Sequence, residues 1–124
     1  MNRILFLFIS VLFYLTNCNG QGKALKPLSE LLINHERGWQ VISQWSSNAS
    51  NKIEILPKDD LRADSALYKT QLEANTPLGA LVYGCGGILV EDGWLRILGS
   101  GCKQFDRSIS DWNKGKSVIR FNDQ

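Results

Sequence analysis

The sequence has 124 residues, is 44% hydrophobic and carries a net charge of +2, a composition typical of a small globular protein. Its basic and acidic residues are interspersed, which argues against a surface for nucleic acid or for anionic lipid. The one histidine, His35, excludes a metal site built on a pair of histidines. We therefore expect no metal, no cofactor and no nucleic-acid partner.

Residues 1–20 have the pattern of an export signal. Arg3 gives a positive start, and Ile4–Leu15 form an apolar run that is interrupted only by Ser10. This run is too short to span a bilayer but matches the core of a signal peptide. We predict an exported protein, periplasmic or secreted, with a single mature domain at 21–124. Its membrane contact would be limited to the signal peptide or a lipid anchor.

Two processing reactions remain open at the end of this signal. Cys18 and Gly20 are small residues at positions −3 and −1 for a signal peptidase that cuts after Gly20. Alternatively, Leu15–Cys18 resembles a bacterial lipobox, and Cys18 would then carry a lipid. Asn17 departs from the residues that usually precede a lipidated cysteine.

The chain up to residue 84 alternates helical and strand patterns. A proline and a serine open a short helix near residues 27–33, and Thr76-Pro77 supplies an N-cap and a first helical residue for a later one. The helix that Thr76-Pro77 opens is predicted at Leu78–Tyr83. Between the first helix and this one, we predict a helix with Trp39, Ile42, Trp45 and Ala49 on one face and then a strand at Lys52–Pro57. A further helix is predicted at Leu61–Tyr68, capped by Asp59 or Asp60, with Leu61, Ala66 and Leu67 inward.

A glycine-rich hairpin follows and is the centre of the predicted fold. Two apolar runs, Ile88–Val90 and Trp94–Leu98, flank the turn residues Glu91–Gly93. A helical turn within Ser108–Asn113 and a strand at Lys116–Phe121 complete the pattern. We predict an α+β domain in which helices pack on a small, mostly antiparallel sheet.

The register of this hairpin decides whether Cys85 and Cys102 can be joined. A four-residue loop at Asp92–Leu95 places them opposite each other, whereas a two-residue turn at Asp92–Gly93 moves them to a diagonal that is harder to bridge. Export permits a disulfide. The hypothesis is therefore a Cys85–Cys102 disulfide at the base of the hairpin, and two free thiols remain the alternative.

No catalytic set of residues is visible. The adjacent carboxylates at 59–60 and 91–92 are typical of helix caps and turns, and the glycine clusters lack the spacing of phosphate-binding loops. The four tryptophans are expected mainly as core anchors. Alternatively, Trp94 and Trp112 with Arg96 and Arg107 could rim a surface that binds a protein partner. Arg96 itself lies either on the solvated face of a strand or beside an anion such as Asp111.

The run Gly-Trp-Leu-Arg-Ile-Leu-Gly-Ser-Gly at Gly93–Gly101, with Ile53–Pro57, Pro77–Tyr83 and Trp112-Asn113, resembles the bacterial domain-of-unknown-function family 2625. The resemblance covers Leu28 to about Phe121 and implies no activity, because none is established for the family. Family members are usually longer, with a second half rich in aromatic residues and glycine. We therefore expect a short or truncated member. The order of elements also resembles the SUKH immunity-type domains, which bind protein partners and are not enzymes.

Together, these features favour a non-catalytic, exported protein-binding module. One alternative is a small-ligand-binding or enzymatic domain whose site lies partly in a missing C-terminal half. Another is a lipid-anchored structural protein of the cell envelope.

Overall fold

The computed structural model describes residues 24–116, and it confirms the predicted α+β class with helices around an antiparallel sheet. Residues 1–20, with Cys18, and the predicted strand from residue 117 onward lie outside the described part. The elements in chain order are α1 (Leu28–Leu31), α2 (His35–Asn48), β1 (Ile53–Leu56), α3 (Asp60–Thr70), α4 (Pro77–Gly84), β2 (Gly87–Val90), a 3₁₀ turn (Glu91–Gly93), β3 (Leu95–Leu98) and α5 (Ile109–Asn113).

Two helix starts follow the local chemistry that the sequence indicated. Asp59 caps α3, because its carboxylate accepts a hydrogen bond from the N–H of Arg62 (3.2 Å). Thr76 caps α4 in the same way, accepting from the N–H of Gly79 (3.2 Å), and Pro77 occupies the first helical turn. Within residues 24–116, no helix has the length and apolar character needed to cross a membrane.

The sheet has the order β1-β2-β3, and both pairings are antiparallel. In the hairpin Gly87 pairs with Leu98, so the turn is centred on Asp92-Gly93, both of which have positive φ (54° and 92°). Of the two registers that the sequence left open, the structure has the one with the turn at Asp92-Gly93, and the four-residue loop at Asp92–Leu95 is not formed. Ser100, not Cys102, lies across from Cys85: its N–H donates to the Cys85 carbonyl at 3.1 Å.

The two faces of the sheet pack against different parts of the chain. On the first face, Ile88 and Ile97 contact Ile42 of α2 and Ala80 of α4. On the second face, the side chains of Leu56, Leu89 and Leu98 pack with Cys102 and Phe105 from the loop that follows β3. A separate cluster of Leu31, Leu67 and Ala74 joins α1 to α3. The first face is therefore covered by helices, whereas the loop that follows β3 packs on the second.

Several apolar residues predicted as inward are exposed. Leu61, in the first turn of α3, is 85% exposed, while Ala66 and Leu67 of the same helix are buried as predicted. The expectation that the tryptophans anchor the core is wrong for Trp45, Trp94 and Trp112, which are 59%, 86% and 49% exposed. Trp45 lies in the last turn of α2, Trp94 in the turn that precedes β3, and Trp112 in α5.

Replacement of Leu67 by alanine tests this orientation of α3. Because Leu67 is fully buried, Leu67→Ala should lower the free energy of unfolding by about 2–5 kcal/mol. The matched control Leu61→Ala removes the same atoms from an exposed position of the same helix and should change it by less than about 0.5 kcal/mol. Urea unfolding measures both, and equal losses would mean that α3 presents another face to the core.

Candidate functional site

An open groove of about 530 Å³ lies on the second face of the sheet, between β3, the following loop and α5. We call it the β3 groove. It is lined by Arg96, Leu98, Gln104, Phe105, Asp106, Arg107 and Trp112. It brings together three of the four residues suggested for partner binding, Arg96, Arg107 and Trp112. The fourth, Trp94, is not part of the lining and stands in the turn that precedes β3.

β3 supplies one wall through two residues that share a face. Successive side chains of a strand point to opposite sides, so Arg96 and Leu98 lie on the second face while Ile97 enters the core of the first. Leu98 is half-buried and gives an apolar surface. Arg96 is exposed, and its Nε donates to the carbonyl of Gly93 (3.4 Å).

The loop after β3 is held against the sheet by two glycines. A Cβ at Gly87 would lie 2.5 Å from the ring carbons Cδ2 and Cε2 of Phe105, and one at Gly86 would lie 2.5 Å from Cβ of Cys102. Only glycine lets these side chains approach the strand so closely. Arg62 of α3 adds a hydrogen bond from Nη1 to the carbonyl of Cys102 (3.1 Å). The loop is thus fixed, and its polar residues form the groove's second wall.

α5 supplies the third wall and begins with a capping box. The Ser108 hydroxyl accepts from the N–H of Asp111 (3.1 Å), and the Asp111 carboxylate accepts from the N–H of Ser108 (3.2 Å). The Ser108 hydroxyl also donates to the Asp111 carboxylate (2.7 Å), and this bond, followed by the one from the Ser108 N–H, lowers the pKa of Asp111. The carboxylate also lies 3.7 Å from Nζ of Lys69, and it forms no ion pair with Arg96, so the suggested pairing of these two described residues is not observed. The cap fixes the helix that carries Trp112, which is 49% exposed.

The electrostatic character of the groove is positive. Arg96 and Arg107 face it together with a single carboxylate, Asp106. Among residues 24–116, neither guanidinium forms an ion pair. Nζ of Lys116 adds a further charge, 3.4 Å from the centroid of the Trp112 ring. An arrangement of exposed guanidinium groups beside apolar and aromatic surface can bind carboxylates that flank an apolar side chain.

The two cysteines of the hairpin are buried and carry free thiols in the structure. Burial raises the pKa of the Cys85 thiol to about 11, and its Sγ lies 3.5 Å from the carbonyl of Leu81. A buried thiol with a raised pKa is a poor nucleophile, because little thiolate is present near neutral pH. The disulfide with Cys102 stays a prediction.

His35, at the start of α2, contacts Leu32 and Tyr83. Its Nδ1 lies 3.2 Å from the carbonyl of Leu32, and its ring meets the ring of Tyr83 edge-on at 5.7 Å. Lys58 covers the same tyrosine, with Nζ 3.7 Å from the ring centroid. In the part of the chain from 24 to 116, no group of three or more His, Cys, Asp or Glu side chains is arranged to hold a metal ion.

The sequence predicts the position of some residues of the β3 groove but not of others. The alternation of side chains along β3 places Arg96 and Leu98 on one face, and that signal was available. Gln104 and Asp106 carried no signal, because their position depends on how the loop folds back onto the sheet.

Comparison with known proteins gives the family but no activity. The model of the family described as "Protein of unknown function DUF2625" matches residues 28–124. An uncharacterized protein of Haemophilus influenzae is 41% identical over 93 residues, which are 75% of this chain and 41% of the relative. The putative uncharacterized protein YbfG of Escherichia coli K12 is 37% identical over 90 residues, 73% of this chain and 42% of the relative.

The chain thus spans about two fifths of the length of these relatives. No solved structure matches it. The family model covers well over half of the sequence, and the chain belongs to the DUF2625 family of proteins of unknown function.

Proposed function

We propose that this chain is a non-catalytic protein-binding module and that the β3 groove is its binding surface. The observation that carries the proposal is the convergence of Arg96, Arg107 and Trp112 on one open groove. Tryptophan and arginine are the side chains that most often anchor protein interfaces, because they combine large contact area with directed hydrogen bonds. Here they come from three separate segments: β3, the loop and α5.

The chemistry of the groove defines the partner that would fit. Leu98 and Phe105 are the aliphatic and the buried aromatic residue of its lining, and Trp112 adds a half-exposed ring. The two guanidinium groups have no carboxylate partner among the described residues. We infer a partner that inserts an aliphatic or aromatic side chain and places acidic residues beside Arg96 and Arg107.

The first experiment identifies the partner by cross-linking in cells. A photoreactive amino acid at Gln104, which lines the groove, should capture the partner, and the same probe at the exposed Gln44 of α2 should not. Capture from both positions, or from neither, would contradict the proposal. A captured protein counts only after it has been purified and its affinity measured.

The affinity of that purified partner gives the quantitative prediction. Trp112→Ala and Arg107→Ala should each raise Kd by about tenfold or more, because anchor residues carry most of an interface's binding energy. The matched controls are Trp45→Ala and Arg37→Ala, which remove exposed side chains of the same types from α2, outside the groove. Their Kd should stay within about twofold. Equal effects in both sets would overturn the assignment of the surface.

A second candidate function follows from the coverage of the relatives. Because the matched region is 41% and 42% of their length, a site of the longer proteins can include residues that have no counterpart in this alignment. A small-ligand or enzymatic site shared between the two regions is therefore the alternative. It predicts that a relative of full length binds a small ligand that this chain alone does not bind.

We also propose that the protein is exported and that residues 1–20 are removed. This proposal is supported by the positively charged Arg3 near the N-terminus and by the apolar run Ile4–Leu15 that follows it. Mass spectrometry of the protein recovered from an expressing bacterium should give a chain that begins at Gln21, outside the cytoplasm. A cytoplasmic chain that still begins at Met1 would contradict export. A lipid-modified chain that begins at Cys18, and that leaves the membrane fraction after Cys18→Ala, would instead establish the lipoprotein alternative.

A further inference from the structure

β3 has an outer edge in addition to the face that lines the β3 groove. The strand order is β1-β2-β3, and among residues 24–116 no strand pairs with the side of β3 that faces away from β2. An edge of this kind presents a row of N–H and C=O groups that can pair with another strand.

The hydrogen bonds between β2 and β3 identify the backbone groups that face outward. Directly after β3, the N–H of Gly99 donates to the carbonyl of Gly86, at 3.2 Å. In an antiparallel ladder, successive residues direct their backbone groups alternately to the two sides of the strand. Odd-numbered residues of β3 therefore bond to β2, and Arg96 and Leu98 direct their N–H and C=O groups away from the sheet.

The same two residues supply the wall that the sheet gives to the β3 groove. The side chains of Arg96 and Leu98 lie on the second face and line this open volume of about 530 Å³. Neighbouring strands lie about 4.8 Å apart, so alternate side chains of a strand added to β3 would stand directly beside them. Backbone pairing and side-chain contacts are thus available at the same two positions.

The side chains of β3 define the chemistry of such a strand. The Arg96 guanidinium forms no ion pair with any of the described residues, so a carboxylate opposite it would complete a charge-assisted hydrogen bond. Leu98 is half-buried and aliphatic, so an apolar side chain fits opposite it.

We propose that the partner binds as an extended segment, which adds to the outer edge of β3 as an antiparallel strand. Because it runs opposite to β3, this segment meets Leu98 before Arg96. Its sequence is therefore an apolar residue, any residue and an acidic residue, in this order from its N-terminus. The inference rests on the proposed function and adds the conformation and the residue order of the partner.

Synthetic peptides titrated into the full chain and followed by NMR test this inference. The probe is the blocked peptide Ser-Thr-Leu-Thr-Glu-Thr-Ser, and the control Ser-Thr-Glu-Thr-Leu-Thr-Ser has the same composition in reverse order. The probe should bind about fivefold or more tightly than the control, because only the probe matches Leu98 and Arg96 in an antiparallel strand. The amide protons of Arg96 and Leu98 should exchange rapidly in the free chain and about tenfold or more slowly with the probe bound.

Methylation of the peptide backbone separates strand pairing from side-chain contacts. A methyl group on the nitrogen of the probe's leucine or glutamate removes an N–H that donates to β3, and it should raise Kd by about tenfold or more. The matched control carries the methyl group on the threonine between them, whose N–H points away from β3, and its Kd should stay within about twofold.

Other outcomes overturn the inference. Slow exchange of Arg96 and Leu98 in the free chain would mean that another segment already pairs with this edge. Equal affinity of the two peptides, or no binding of the probe at millimolar concentration, would exclude a partner strand with this residue order.

A different outcome would separate this inference from the proposed function. If all three methylated probes bind as tightly as the probe itself while Arg107→Ala weakens its binding, the peptide occupies the β3 groove through side chains alone. The strand inference then fails and the proposed binding surface stands. The capture experiment with probes at Gln104 and Gln44 tests that surface separately.

Discussion

The packing of Phe105 against the backbone of Gly87 is the contact on which the second face of the sheet depends. The ring occupies the space that any β-carbon at position 87 would need, since that carbon would lie 2.5 Å from Cδ2 and Cε2. Phe105 is 7% exposed and joins Leu56 and Cys102 in the small core of this face. The contact closes the loop after β3 onto the strand from which it came. The loop therefore has a fixed path, although it contains no helix or strand of its own until α5.

The asymmetry of the two faces explains why the groove lies where it does. Two helices, α2 and α4, cover the first face and bury Ile42, Ala80 and Ile88. Among the described residues, the second face has the loop that follows β3 and the five residues of α5, which leave part of β3 uncovered. The gap that remains is lined by Arg96 and Trp112 and is open to solvent. The incomplete cover and the placement of these anchor residues together motivate the proposed binding role.

Sequence reasoning succeeded where the structure is decided locally. The cap of Asp59 and the Thr76-Pro77 start depend on a few adjacent residues, and both are observed. The register of the hairpin depends on which turn residues adopt positive φ, and composition does not settle that. The exposure of Trp94 depends on whether another element packs over the turn, which hydrophobicity alone does not reveal. For the same reason, the sequence did not indicate that Gln104 and Asp106 line the β3 groove, because their position depends on how the loop folds back onto the sheet.

The chemical shifts of the Gly87 α-protons test the central claim most directly, namely that Phe105 on Gly87 fixes the loop and so builds the β3 groove. A ring held over these protons shifts their resonances away from ordinary glycine values. The Phe105 ring should produce such a ring-current shift in the full chain, and Phe105→Leu should abolish it and at the same time change the indole resonance of Trp112. Ordinary glycine shifts in the unchanged chain would contradict it, because the loop would then not be packed on the strand.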